Sequence, residues 1–306
     1  MRFYSATVFI FLFYFNQLQA QEGLNELSAE VIKNDDTASV KESQQLAWAN
    51  EKAYKEFTDL KDKAIDQNNL YNIREAITLE IKANKIAAKN VGKTHQDYIQ
   101  SKLDLALYYN ANEQLDLVST HLMGAKKILD QGTYKKELFH QYYFSLGRYY
   151  LNSKNPTKGI ESLREALDIN TKHINDNALL ADVLGYLGDC YHDLKKFKLA
   201  ISTYKTFFNT LKKENYSEKE LFYEIDITGV YVRYADALYE TKNYLDAIYY
   251  LKKSGQLYRK YQGEISEDVS LIANRLYFCY EKLGDTTNAL KYGNLQDSID
   301  RKLKQD

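Results

Sequence analysis

Leu184 to Phe207 reads LGYLGDCYHDLKKFKLAISTYKTF. Leu184, Leu187, Gly188 and Tyr191 recur at spacings of 3, 4 and 7 residues, one stripe of a helix, and Phe197, Ala200, Tyr204 and Phe207 form a second stripe. The spacing predicts two amphipathic helices broken near Lys195–Lys196. Gly188 and Ala200 are the small positions. Two helices approach closely only where side chains are small, with Leu and Tyr knobs seated around them.

A pattern of this kind recurs along the chain. With Ala181 as its first position, other copies begin at Phe57, Ile99, His140, Thr228 and Ser270, at intervals of 42, 41, 41, 47 and 42 residues. The eighth position holds Ala64, Ala106, Gly147, Gly188 and Ala235, with Tyr277 alone large. The twentieth holds Ala76, Val118, Gly159, Ala200, Ala247 and Ala289. The eleventh is Tyr109, Tyr150, Tyr191 and Tyr280 in four copies. The end copies depart from the pattern, with Lys63 and Gln67 in the first and Gly293 and Gln296 in the last, as expected of repeats that lack a neighbour on one side.

The order L-x-x-L-G-x-x-Y followed by F-x-x-A-x-x-x-Y resembles the tetratricopeptide repeat, a helix–turn–helix unit of roughly 34 residues. The intervals here are longer by about one turn per helix, which makes the chain similar to the long-helix branch of that family. The one proline, Pro156, is expected in an inter-helix turn. The resemblance implies an all-α fold, a right-handed α-solenoid of about six helix–turn–helix repeats over residues 41–306. Thirteen glycines and one proline in 306 residues suit such a nearly all-helical chain, and most of the 28 tyrosines sit at helical spacing as packing residues.

The amino terminus reads differently. Arg2 precedes an apolar run from Phe3 to Phe15, then a polar exit ending at Ala20. This is the pattern of a cleaved signal peptide, residues 1–20, and it predicts a periplasmic or secreted protein. No cysteine follows the run to accept a lipid, and no later segment has the roughly 20 apolar residues of a membrane span. Residues 21–40 are polar and aperiodic, a flexible leader, and helical spacing begins near Lys41. Thr94 with Asp97, and Ser217 with Glu220, have the spacing of helix caps before the second and fifth copies. The extra residues of the 47-residue interval fall at Lys212 to Lys219, and a last helix is expected from about Thr286 to Lys304.

Catalytic and cofactor motifs are missing. There is no glycine-rich phosphate loop, no G-x-S-x-G turn and no H-E-x-x-H pair, and the five histidines show no metal-ligand spacing. No enzyme, cofactor or metal is expected. The 41 Lys and Arg against 42 Asp and Glu are interspersed, which gives no electrostatic footprint for nucleic acid. Cys190 and Cys279 both occupy tenth positions two copies apart, about 20 Å along a stack of helices at 8–10 Å spacing, too far for a disulfide. They read as buried free thiols.

In solenoids of the family that this chain resembles, first helices line the concave face. Members that grip a peptide carboxylate place Lys, Arg and Asn at the fifth and ninth positions of those helices. Here these positions read Lys61/Ile65, Leu103/Leu107, Phe144/Arg148, Gly185/Asp189, Val232/Asp236 and Asn274/Phe278, which is not that clamp. Asp182, Asp189, Asp193, Asp236 and Glu240 gather instead in copies four and five beside His192 and Tyr239. They are either ordinary solvated charges or an acidic groove for a basic segment. The candidate binding residues are therefore Arg148, Asp189, His192, Asp236 and Tyr239, with Asp189 and Asp236 projecting into one groove. The function expected is a non-enzymatic, exported scaffold for a protein or peptide partner. The alternative is a signal-input module of a histidine kinase or transcriptional regulator system.

Overall fold

The computed structural model describes residues 48–69, 72–223 and 225–304. The expected signal peptide (1–20) and leader (21–40) lie outside the described residues, and the helix expected from near Lys41 begins instead at Glu51, residues 48–50 being non-helical. Every regular element among the described residues is helical, and the chain divides into two compact units, residues 1–153 and 154–306. The first holds α1 (Glu51–Asn69), α2 (Ile73–Asn90), α3 (Gln96–Ala111), α4 (Leu115–Leu129) and α5 (Lys136–Asn152). The second holds α6 (Pro156–Ile169), a π-helical turn (Asn170–Ile174), α7 (Asn177–Asp193) and α8 (Phe197–Leu211). It continues with a short α9 (Glu218–Tyr223), then α10 (Ile227–Glu240), α11 (Tyr244–Gln262), α12 (Glu267–Leu283) and α13 (Thr286–Leu303). The last helix has the expected span. In both units a helix packs on its partner in the hairpin and on the first helix of the next hairpin.

The repeat register is written in the backbone. Glu113, Lys154, Lys195, Lys242 and Gly284 all have positive φ, 55–74°, and all occupy the fifteenth position of their copies. The residue after each of four of them closes the turn with a six-to-one bond to the carbonyl of the eleventh: Gln114 to Tyr109, Lys196 to Tyr191, Asn243 to Leu238 and Asp285 to Tyr280. This is the Schellman ending that usually takes glycine at the left-handed residue. Only the last copy supplies one. Elsewhere Glu or Lys takes that residue, so the turns carry no glycine signal in the sequence.

Small and large residues are matched across the hairpins of the fourth and sixth copies. A Cβ added at Gly188 would lie 2.7 and 2.9 Å from Cδ1 and Cζ of Tyr204, the twenty-fourth position of the same copy. In the last copy the sizes are exchanged: Tyr277 stands at the eighth position and Gly293 at the twenty-fourth, and a Cβ on Gly293 would sit 3.3 Å from the Tyr277 ring. The departures at Tyr277 and Gly293 are thus one volume-conserving swap, not merely the loosening of an end repeat. The twentieth-position residues Ala76, Val118, Gly159, Ala200, Ala247 and Ala289 are all buried, as their size requires.

Three local expectations need correction. His95, not Thr94, caps α3, its Nδ1 accepting from the Asp97 N–H at 3.2 Å, while the Thr94 carbonyl accepts from the Tyr134 hydroxyl. Ser217 and Glu220 do form a reciprocal capping box, at 2.6 and 3.2 Å. They cap α9, which occupies the lengthened connection, and α10 begins after it under an Asp226 cap. Pro156 opens α6 as its first residue rather than lying in the turn, which suits a residue with no N–H to donate.

Candidate functional site

In the second unit, α7 and α10 end side by side, and α12 follows α10. The turn at Lys195 stops α7 at Asp193, and the turn at Lys242 stops α10 at Glu240. The last turns of both helices and the outer face of α12 enclose a pocket of about 600 Å³. His192 and Asp193 come from α7, Phe197 from the start of α8, Asp236, Tyr239 and Glu240 from α10, and Arg275, Phe278 and Cys279 from α12. Phe278 is 42% exposed, an apolar ring left open to the solvent side. The carboxyl ends of two helices add negative partial charge to Asp193 and Glu240.

The acids do not all reach this pocket. Asp236 lines it, but in a two-point ion pair with Arg275, at 2.7 and 3.0 Å. Asp189 is only 5% exposed and is absent from the lining. It accepts from the Tyr204 hydroxyl at 2.6 Å and pairs with Arg233 Nε at 2.7 Å. The expectation that Asp189 and Asp236 share one groove is therefore corrected. Both pairs follow one rule: a ninth-position aspartate on one first helix binds a sixth-position arginine on the next. The rule neutralises two of the five clustered acids and locks α7 to α10 and α10 to α12. The arginines could have been found in the sequence at that position, but nothing local marks them as partners of acids some 40 residues away.

His192 stands at the rim, its ring edge-on to Phe197 at 5.6 Å and its Nδ1 3.8 Å from Asp193. Tyr239 meets Tyr244 edge-on at 5.3 Å, and burial raises its phenol. Cys279 in the wall is a free, buried thiol pushed up to about 12 by burial and then by Asp236, so it stays protonated and offers no nucleophile. Cys190 is likewise free and buried, and is raised to about 12. Among the described residues no group of three or more His, Cys, Asp or Glu could hold a metal ion, and no helix is long and apolar enough to cross a membrane.

Arg148 lies in the first unit, its guanidinium 5.7 Å above the Phe144 ring. That unit has its own buried polar cluster. Asp104 accepts from Lys61, from Gln100 at 3.0 Å and from Gln141 at 2.6 Å, and Lys61 also reaches Glu80 at 3.4 Å. Glu80 occupies the twenty-fourth position that Leu or Tyr fills in copies two to five, and burial pushes its carboxyl up to about 7 despite Lys61. The ties from Asp104 join α1, α3 and α5, while Glu80 Oε2 is buried with no hydrogen-bond partner among the described residues.

A tetratricopeptide repeat family model matches residues 140–173, starting at His140, the first position of the third copy. No curated protein matches the chain. Among solved structures, the apo form of RapI superposes with a TM-score of 0.65 at 16% identity, over 83% of this chain and 67% of that one. The Cut9–Hcn1 hetero-tetramer of the APC/C gives 0.59 at 17% identity, over 81% and 43%. BtubC (BKLC) from P. vanneervenii gives 0.56 at 14% identity, over 83% and 93%. At such identities the likeness is one of fold. The third copy thus matches the tetratricopeptide-repeat model, and the helical hairpins in register and these shared architectures show an α-solenoid fold of helical repeats.

Proposed function

We propose that the protein is an exported, non-enzymatic scaffold whose second unit docks a Lys- or Arg-bearing segment of a partner protein. A tetratricopeptide-repeat fold supports a protein-interaction module, and the similar Cut9 fold is itself part of a hetero-tetramer. Export rests on Arg2, the apolar run to Phe15 and the exit at Ala20.

The observation that carries the docking site is the pocket at the ends of α7 and α10. Its arginine is already neutralised by Asp236, and although Lys195 also lines it, carboxylates outnumber cations three to two, with Asp193 and Glu240 exposed at its mouth and Tyr239 and Phe278 supplying aromatic surface. A cationic side chain entering there meets carboxylates, helix carboxyl ends and ring faces together. The apolar stem of a lysine or arginine packs on the rings and the head group stays among the acids.

The test uses fluorescence polarisation with paired peptides that differ only in lysine-for-glutamate content. The lysine peptides bind more tightly to the wild type, and the preference shrinks in high salt. Asp193→Lys with Glu240→Lys abolishes the preference, and Phe278→Ala weakens both kinds of binding. No preference for the lysine peptides, or an undiminished preference in the double variant, refutes the assignment.

A further inference from the structure

The 47-residue interval lengthens the connection between α8 and α10, residues 212–226, and among the described residues this connection is held down at three points. Glu214 accepts from Asn177 Nδ2 at 2.7 Å. Glu218 accepts from the Tyr261 hydroxyl at 3.2 Å and from Lys260. Phe222 is buried against Tyr258 and Tyr261 of α11, with ring centroids 5.7 and 4.7 Å away. Fixed in this way, the connection forms one wall of a second cavity of about 370 Å³, lined by none of the residues of the acidic pocket.

The opposite wall is aromatic. Phe208 lies nearly parallel to Tyr231 and Tyr250, at 5.2 and 5.6 Å, and Tyr249, 52% exposed, flanks them. Lys253 stands 4.8 Å over the Tyr249 ring and 5.8 Å over Tyr231.

Three features narrow the ligand. The ring faces are flat and apolar. The polar groups are the hydroxyls of Tyr216, Tyr231, Tyr249 and Tyr250, each able to donate or accept, and the donor-only ammonium groups of Lys212 and Lys253, the latter bonded to Tyr249, while the one carboxylate, Glu214, already accepts from Asn177. The two lysines also leave the rim positive. The complement is an apolar body rich in acceptors and poor in donors, with acidic groups nearby. A proline-rich segment has those properties: its rings are apolar, its prolines carry no N–H, and a polyproline II chain makes no internal hydrogen bonds, so its carbonyls are free to accept. A helix would bond its own carbonyls and leave the donors unused.

We propose that this aromatic cavity binds an extended, proline-rich segment with acidic flanks, supplied by another protein, since this chain has one proline. Because the lip is already tied in place, little ordering is needed on binding.

The experiment is calorimetric titration with a synthetic oligoproline peptide flanked by glutamates and with the same peptide carrying alanine for proline. The oligoproline peptide binds about tenfold more tightly than its alanine counterpart. Tyr249→Ala, at an exposed position, weakens it about tenfold, and Lys253→Glu weakens it through charge, with the circular dichroism of both variants unchanged. Should Tyr249→Ala lose helicity, the lysine variant decides. Equal binding of the two peptides, tighter binding of the alanine peptide, or full affinity in the variants overturns the proposal. None of these results bears on the lysine-peptide preference of the other pocket.

Discussion

Gly188→Ala tests the small-against-large packing of the fourth copy, which the sixth copy repeats with the sizes exchanged. The new Cβ would lie 2.7 and 2.9 Å from the Tyr204 ring, so either the ring or the helix must shift. The ring is not free to swing. Its hydroxyl is held by Asp189 at 2.6 Å, Asp189 is held by Arg233 at 2.7 Å, and the ring face meets Tyr234 at 5.8 Å. Overpacking of this kind costs about 1–3 kcal/mol. Displacing the ring also loses a hydrogen bond to a carboxylate worth roughly 1.5–3 kcal/mol. Against this, alanine in place of glycine favours a helix interior by about 1 kcal/mol. The sum is a destabilisation of roughly 1.5–5 kcal/mol.

A second background makes the reasoning sharper. Copies two and five carry Ala106 opposite Leu122 and Ala235 opposite Leu251. In a Tyr204→Leu protein, Gly188→Ala should therefore meet no clash and become neutral or stabilising. Urea unfolding followed by far-ultraviolet circular dichroism gives the four midpoints of the cycle. If Gly188→Ala leaves stability unchanged, or has the same effect in both backgrounds, the close approach of α7 and α8 at this position is wrong.

His121 is fully buried in the first unit, and neither ring nitrogen has a hydrogen-bond partner among the described residues. Burial, then the charge of Lys102, holds it well below its ordinary 6.5, so only the unfolded chain takes the proton as the pH falls below that value. Stability should drop on acidification from there, and His121→Leu should flatten the fall in a melting series. Glu80 acts in the opposite sense: its folded carboxyl titrates near 7 against 4.5 unfolded, so the stability linked to its protonation is present at low pH and lost as pH rises through 7. The advantage of Glu80→Gln over wild type should therefore grow between pH 4.5 and 7 and then level off, as denaturation at a series of pH values would reveal. Cys190 and Cys279 should stay unreactive towards a thiol reagent in the native protein and react on unfolding; rapid native labelling would contradict their burial. Mass spectrometry of the protein from its native host should find Gln21 at the amino terminus, and an intact Met1 in the cytoplasmic fraction would count against export.

The sequence by itself determined the helical class, the register and the breaks between helices. Each depends on residues within one hairpin: Gly188 and Ala200 at contact positions, apolar stripes at 3.6-residue spacing, and tenth-position cysteines facing a core. Such information is local and repeats six times, so it survives reading along one dimension. What lies between hairpins was settled only by tertiary structure. Asp189 and Asp236 look alike to any local reading, yet one is enclosed by Tyr204 and Arg233 and the other stands in a pocket wall with Arg275. Tyr277 and Gly293 look like defects until packing makes them one exchange. Glu113, Lys195 and Lys242 adopt the left-handed turn without glycine because the packed helix pairs around them outweigh a backbone preference of about 1 kcal/mol. The physical reason is the same in each case. An ion pair or a matched contact is decided by where two distant helices come to rest, and that depends on the summed packing of both, which neither segment carries alone.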